Sequence, residues 1–436
     1  MILTERFRYS EEFQQKCESV LELAFNHVPL YKQWKKYDPG RGFSLDERFD
    51  ALPVLTKADM RIHFPAGLMP DGKNLQEGLL NEEIEYTFTS GATSEKVVNI
   101  WDQDWWNRSE AASWKLNKYT AALSYPQTAA KLASSLNVGI NCEEDLPMDH
   151  RILSNTLYLN EKTSILQWRP RHLKRMADEL NSFKPAILEA NPSLLARLAY
   201  WAIDNGTAVY SPKVIVFTFE YPSAIHLAAI GRVFSSALVS SYGTTETGFV
   251  MEQCENGLMH QNADFCRIDF APLKEQFGGP ELGRIFVTTF DNPWNCIIRF
   301  DTGDLIRLHP DGGCGCGREH GMIADAVEGR VANVTFGTGG GLVTTKKLDD
   351  GLSAVNALRD YHLEQIGQAG YLLQATLSPE ADGNAAITRL RGILEEIYGK
   401  NGDFEIRIMD SILPGPAGKF RRTQTDFDFN ESVLFK

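Results

Sequence analysis

No stretch of this chain stays apolar long enough to cross a bilayer. Its N-terminus, MILTERFRYSEEF, also lacks the apolar core of a secretory leader. A cytoplasmic location with no membrane partner is the expectation. Positive charge is scarce: 44 Lys and Arg stand against 57 Asp and Glu, a formal net charge of −13. Proteins that grip nucleic acid through its phosphates carry the opposite balance, so no nucleic-acid partner is expected. Cysteine is sparse and odd in number, seven residues scattered apart from Cys314 and Cys316. That argues against a disulfide framework. Internal repeats and low-complexity tracts are absent too.

What is present is an ordinary globular composition, 43% hydrophobic and 23% charged. At 436 residues the chain is too long for one core, so two or three domains are expected. The most informative stretch is Tyr86–Val97, YTFTSGATSEKV. It starts as a β-branched and aromatic run and breaks into small hydroxylated residues, which predicts a strand feeding a loop. The hydroxyls of Thr89, Ser90, Thr93 and Ser94, with Gly91 between them, suit a polyphosphate cradle. The Gly-Lys-Ser/Thr ending of a Walker loop is missing.

Helical spacing over 10–25 predicts a helix capped by Ser10 and ended by Pro29. Thr56 should cap another short helix. Residues 104–123 read as one Trp-rich helix and 138–150 as a loop. From 171 to 240 helices and short apolar strands alternate: helix 171–182, strand 186–190, helix to about 204 capped at Asn191, strand 214–219, helix 223–234, strand 237–240. This order implies parallel strands with right-handed crossovers, and ligands at the strands' carboxyl ends. Residues 258–310 read as β-rich, with strands over 284–290 and 296–300. A Gly-rich segment, 337–341, precedes a final α+β portion.

Four stretches join the first in order: Ser241-Tyr242-Gly243-Thr244-Thr245-Glu246, Arg299-Phe300-Asp301-Thr302-Gly303-Asp304, Glu328-Gly329-Arg330, and Pro416-Ala417-Gly418-Lys419-Phe420-Arg421-Arg422. Together they resemble the motifs of the adenylate-forming superfamily, which includes acyl-CoA synthetases, peptide-synthetase adenylation domains and luciferases. Thr218-Phe219-Glu220-Tyr221-Pro222-Ser223, Cys314-Gly315-Cys316-Gly317-Arg318 and Asn26-His27-Val28-Pro29-Leu30-Tyr31 look like the phenylacetate–CoA ligase branch. The resemblance implies an α/β fold: a large multi-sheet N-terminal domain, 1–329, binding ATP and carboxylate, and a small α+β C-terminal lid, 330–436.

It also implies a reaction. A small carboxylic acid, aromatic by analogy with the branch, attacks the α-phosphate of ATP. The resulting acyl adenylate passes to coenzyme A. A carrier-protein thiol or an amine as acceptor stays open, as does a degenerate homologue that no longer catalyses; so does a homodimer. By resemblance, Lys419, Glu246 and Thr245 are the catalytic set, with Lys419 between the carboxylate and the α-phosphate. Glu246 holds Mg²⁺, a hard cation suited to a carboxylate. Glu220 and Tyr242 flank the adenine, Tyr221, Pro222, Gly243 and Thr244 join them in binding the nucleotide, Asp304 takes the ribose hydroxyls, and Arg330 takes the ribose or phosphates. Two departures stand out. The phosphate loop reads Thr93-Ser94-Glu95-Lys96 where the family has Thr-Gly-x-Pro, and the hinge pivot, usually Asp, is Ala332.

Two further groups are set by residue chemistry. Cys314 and Cys316 on a Gly-rich turn, with Cys254 and His260 upstream, could complete a tetrahedral structural zinc site, with His320 a competing ligand. Trp101, Trp105, Trp106 and Trp114 could line a pocket, but helix packing is their expected role.

Overall fold

A computed structural model describes residues 6–88, 97–123, 127–134, 144–415 and 419–435. Ser10 accepts from the Phe13 amide at 3.1 Å and starts α1 (Glu11–His27), as its position predicts. The helix ends where Pro29 predicts, with Val28 extended ahead of the proline, and Pro29 also opens α2 (Pro29–Trp34), because the first helical position needs no N–H. α3 (Leu45–Ala51) precedes α4 (Lys57–His63), which starts on a reciprocal Thr56–Asp59 box. α5 (Leu75–Leu80) follows. β1 (Glu85–Phe88) and β2 (Val98–Trp101) then pair antiparallel, Phe88 opposite Val98. The phosphate-loop residues Thr89, Ser90, Gly91, Thr93 and Ser94, with Lys96, lie outside the described residues, as do 416–418.

The single helix expected over 104–123 is two, α6 (Gln103–Trp114) and α7 (Lys118–Ala121). Asn117 restarts the chain by accepting from the Tyr119 amide at 2.8 Å. The alternating region follows: β3 (Ala129–Leu132), β4 (Ile152–Leu153), β5 (Thr156–Tyr158), α8 (Pro170–Phe183), β6 (Ile187–Ala190), α9 (Pro192–Asn205), β7 (Val214–Phe217), α10 (Ala224–Val233) and β8 (Ala237–Thr244). Strands β3, β5, β6, β7 and β8 run parallel to their neighbours in the order β8-β7-β6-β3-β5. Leu188, Leu194, Leu195, Leu198, Ile215 and their neighbours form the core between this sheet and its helices.

β8 is the pivot of the sheet. Its first half pairs parallel with β7, up to Phe217 opposite Ser240. Its second half, from Ser241, pairs antiparallel with β9 (Gly248–Gln253). The motif expected in a loop after a strand ending at 240 is therefore largely strand. Beyond it come β10 (Met259–Gln261), β11 (Cys266–Pro272), β12 (Leu282–Thr289), β13 (Phe300–Leu308) and β14 (Ile323–Arg330). They complete a twelve-stranded sheet ordered β11-β12-β13-β14-β10-β9-β8-β7-β6-β3-β5-β4.

The strand expected over 296–300 is not one. The Tyr31 hydroxyl donates to the Cys296 carbonyl at 3.0 Å and accepts from the Ile298 amide at 3.1 Å, taking the groups a ladder would need. Arg299 then turns the chain with φ of +49° into β13.

After Arg330 the chain builds a separate sheet. β15 (Thr335–Phe336) and β16 (Leu342–Val343) pair, and α11 (Thr345–Leu352) follows. β17 (Leu358–Ile366), β18 (Gly370–Leu377), α12 (Gly383–Tyr398), β19 (Asp403–Ile408) and β20 (Thr423–Thr425) form a four-stranded sheet, order β19-β18-β17-β20, with a helix over it. The chain then returns to the large sheet. Phe435 bridges Leu273, the Lys274 amide donates to the Leu434 carbonyl at 2.9 Å, and Glu431 pairs with Arg284 at 3.0 Å. Leu434 is buried among Leu273, Leu282, Leu305 and Val331. Among the described residues no helix is long and apolar enough to cross a membrane.

Candidate active site

The carboxyl ends of β6, β7 and β8 and the middle of β13 face one cleft of about 1620 Å³, which the segment carrying Lys419 also lines. This exceeds the usual 300–1,000 Å³ of a single-ligand pocket. Tyr242, Gly243 and Thr244 reach it from the second half of β8. Only glycine fits at 243, because a Cβ there would stand 2.2 Å from the Gly248 carbonyl oxygen across the turn. The turn itself is pinned. Thr244 Oγ1 and Thr247 Oγ1 are 2.9 Å apart, and Asn99 Nδ2 donates to the Thr245 carbonyl at 3.0 Å.

Each titratable group is then placed by a neighbour. The Tyr242 hydroxyl donates to Asp304 Oδ2 at 2.8 Å. Burial, and next the Asp304 charge, push that phenol well above its usual range. Arg330, opposite Asp304 in the β13–β14 ladder, brings its Nε to 3.5 Å from Asp304 Oδ1. Glu220 Oε2 accepts from the Phe420 amide at 3.1 Å, next to Lys419. Glu246 is 4% exposed and its Oε1 lies 3.9 Å from Lys57 Nζ. Glu220 Oε1 and Glu246 Oε1 are buried with no hydrogen-bond partner among the described residues. Burial, and then Arg330, push Lys419 down, while Glu220, Asp304 and Glu246 act in the opposite sense. Tyr221, Pro222 and Thr245 also line the cleft.

The second expected group also comes together. The donor atoms of Cys254, His260, Cys314 and Cys316 all lie within 4.8 Å of one another. Cys254 Sγ is 3.7 Å from Cys314 Sγ, and Cys316 Sγ is 3.4 Å from His260 Nε2. Zinc–sulfur bonds of about 2.3 Å in a tetrahedron set sulfurs roughly 3.8 Å apart, so the spacing fits. His320 stands outside the cluster, pairing with Arg8 in an isolated bridge.

The tryptophans divide. Trp105 is core, donating its Nε1 to the Phe290 carbonyl at 2.8 Å. Trp101 at the end of β2 lines the cleft, as do Trp106 and Trp114 on α6, the last also packing against Ile187, Val214, Val216 and Val239. Sequence reasoning passed over Lys57, Glu110, Lys131 and Glu189, which also line it. Their only signal was position: Lys131 and Glu189 sit near the carboxyl ends of parallel strands.

No protein-family model matches the chain. Among curated proteins it is similar to Protein CapK of Staphylococcus aureus, 21% identical over 252 residues, 57% of this chain and 55% of that one. The match thus spans about half the length of that relative. Among solved structures it is similar to 2-hydroxyisobutyryl-CoA ligase in the postadenylation state with 2-HIB-AMP. The TM-score is 0.71 at 18% identity, over 97% of this chain and 90% of that chain. The same enzyme with 2-HIB-AMP and CoA in the thioesterification state gives 0.56, at 18% identity over 95% and 89%. The anthranilate CoA ligase AuaEII with anthranoyl-AMP gives 0.53, at 14% identity over 78% and 66%. The fold is that of the adenylate-forming acyl-CoA ligases.

Proposed function

We propose that the chain activates a small carboxylic acid with ATP, forming an acyl adenylate and pyrophosphate, and passes the acyl group to coenzyme A. The carrying observation is that Tyr242, Glu246, Asp304, Arg330 and Lys419, from four separate segments, meet in one cleft where buried oxygens of Glu220 and Glu246 lack a hydrogen bond among the described residues. Two anions must approach each other in this reaction, so the site must supply donors and positive charge. Lys419 bridges the attacking carboxylate and the α-phosphate. Asp304 holds the ribose hydroxyls, Tyr242 and Glu220 flank the adenine, and Arg330 reaches ribose or phosphate. Glu246, with its open Oε1, would hold Mg²⁺, which neutralises phosphate charge when bound. The loop Thr89–Ser94 would cradle the outer phosphates. Residues 1–329 act as the binding domain and 330–436 as the lid. An aromatic acid, as in the phenylacetate–CoA ligase branch, suits the indoles of Trp101, Trp106 and Trp114. The Cys254/His260/Cys314/Cys316 cluster holds a structural zinc with no open coordination position. We place the reaction in the cytoplasm, where thiols stay reduced.

Exchange of labelled pyrophosphate into ATP, across a panel of carboxylic acids, tests the first half-reaction without an acceptor. Acid-dependent exchange is expected; its absence with every acid leaves a nucleotide-binding homologue. A second reading, transfer to a carrier thiol or an amine, draws support from Ala332 at the hinge and from the buried contacts that fix the lid. Coenzyme A consumption coupled to adenylate loss separates the two acceptors.

A further inference from the structure

One end of the cleft is built unlike a pocket for a plain apolar acid. Lys131 on β3 and Glu189 on β6 are direct neighbours in the ladder, and their charged ends meet at 2.8 Å. Thr218 Oγ1 donates to Glu189 Oε1 at 3.1 Å, one residue from Phe219, whose ring lies 5.8 Å from Lys131 Nζ. The pair is therefore complete. Across from it α6 presents Trp106, Glu110 and Trp114, each about one turn from the next and all lining the cleft. Trp106 is itself held in place by Trp101 at 4.0 Å and Phe249 at 5.0 Å between ring centres.

Glu110 is the odd charge. Among the described residues it has no ion-pair or hydrogen-bond partner, and the cation that acts on it, Lys131, is already bonded to Glu189. Burial, and then the charge of Glu189, raise its carboxyl to about 7. A buried carboxylate with an indole one turn away on each side along the cleft is the chemistry that receives an organic cation, which it pairs with in surroundings that aromatic rings favour.

We propose that the acid activated here carries a protonated amine, seated against Glu110 between Trp106 and Trp114. This rests on the adenylation reading above and specifies its substrate: an amine-bearing carboxylic acid. An apolar acid would desolvate Glu110 and return nothing to it. An amine-bearing acid completes the pair while its carboxylate reaches toward Lys419.

Pyrophosphate exchange without acceptor tests this on the unmodified protein, so an amine can act only as part of the acid. Matched acids are compared: benzoate with 4-(aminomethyl)benzoate, phenylacetate with 4-(aminomethyl)phenylacetate, and hexanoate with 6-aminohexanoate. Hydroxymethyl analogues serve as uncharged hydrogen-bonding controls. The amine-bearing member of at least one pair should exceed its partner about tenfold or more in kcat/KM, the scale of a hydrogen bond to a charged group. Glu110→Gln keeps the shape, and should remove most of that preference while leaving the KM for ATP unchanged. Neutral acids winning in every pair would overturn the proposal. So would a hydroxymethyl analogue that matches the amine, or a preference that survives in Glu110→Gln. Silence with every acid would instead overturn the adenylation reading, and this inference with it.

Discussion

Two buried clusters of charge lie on either side of the short segment Lys419–Arg422, and they are finished to different degrees. On one side Arg422 bonds Asp360, and its Nη2 donates to Ser193 Oγ at 3.1 Å and meets His226 Nδ1 at the same distance. Nearby, Asp349 accepts from the Ser223 hydroxyl and the Ala224 amide, each at 2.6 Å. On the other side Lys419 faces Glu220, Asp304 and Glu246, and two of those carboxylates keep a buried oxygen with no hydrogen bond among the described residues. A cluster that satisfies itself holds the small sheet against α9 and α10. A cluster that does not is costly as it stands, a cost that a bound ligand would relieve. The difference separates structure from chemistry within four residues of chain.

The comparison can be broken at several points. The Cys254/His260/Cys314/Cys316 cluster is a third unfinished set, and the expected result is all or none. Protein purified without chelator should carry zinc by elemental analysis, and Cys314→Ser/Cys316→Ser should carry none. Zinc at the same level in both would remove the site.

Next is the finished cluster. Arg422→Met strips the buried Asp360 of its main partner and leaves His226, 3.6 Å away, beside it, which should cost about 3–5 kcal/mol in a denaturant titration. Burial pushes the Asp360 carboxyl up, but Arg422 and His226 outweigh it and hold it well below the usual carboxylate range. Its contribution to stability is thus complete above the unfolded value of about 3.9 and fades as pH falls below it. The parent should lose stability on acidification through that window, and Arg422→Met should show a flatter acid limb.

Lys419→Ala touches the unfinished cluster. It should lower pyrophosphate exchange ~10²–10³-fold while ATP binding stays nearly intact. Exchange at the parent rate would take this lysine out of the reaction. Asp304→Ala is the smallest of the set. It should raise the KM for ATP by roughly 1–3 kcal/mol in free-energy terms; an unchanged affinity would end the ribose assignment.

Much of this was legible beforehand, where local chemistry dictates local structure. Ser10, Thr56 and Asn191 cap the helices their positions predict. The alternating strands and helices fall where the apolar runs put them, and the four zinc-type donors meet. What failed depended on distant partners. Residues 296–299 have a strand's composition, but Tyr31, far away in the chain, takes their backbone groups. Tyr242–Thr244 have a loop's composition but find β9. Trp106 and Trp114 look like core until α6 is oriented against the sheet, and Trp101 until β2 is paired with β1. Glu110 and Lys131 are lone charges in ordinary surroundings, and only parallel register sets Lys131 beside Glu189.

One feature of the chain path bears on motion. The small sheet leaves the large one at Arg330, and the chain comes back to it through Glu431, Leu434 and Phe435. A gate hung from a single pin can swing and twist freely. One hung from two pins turns only about the line that joins them. If the second anchor holds during turnover, the small sheet has one axis of rotation, running from Arg330 to the Leu273–Phe435 bridge, and Ala332 sits beside one end of it. Removing residues 430–436 should release the second pin, and a pair of fluorophores, one on each sheet, should then report a wider spread of separations than in the full chain. An identical spread would mean that the pin was never holding.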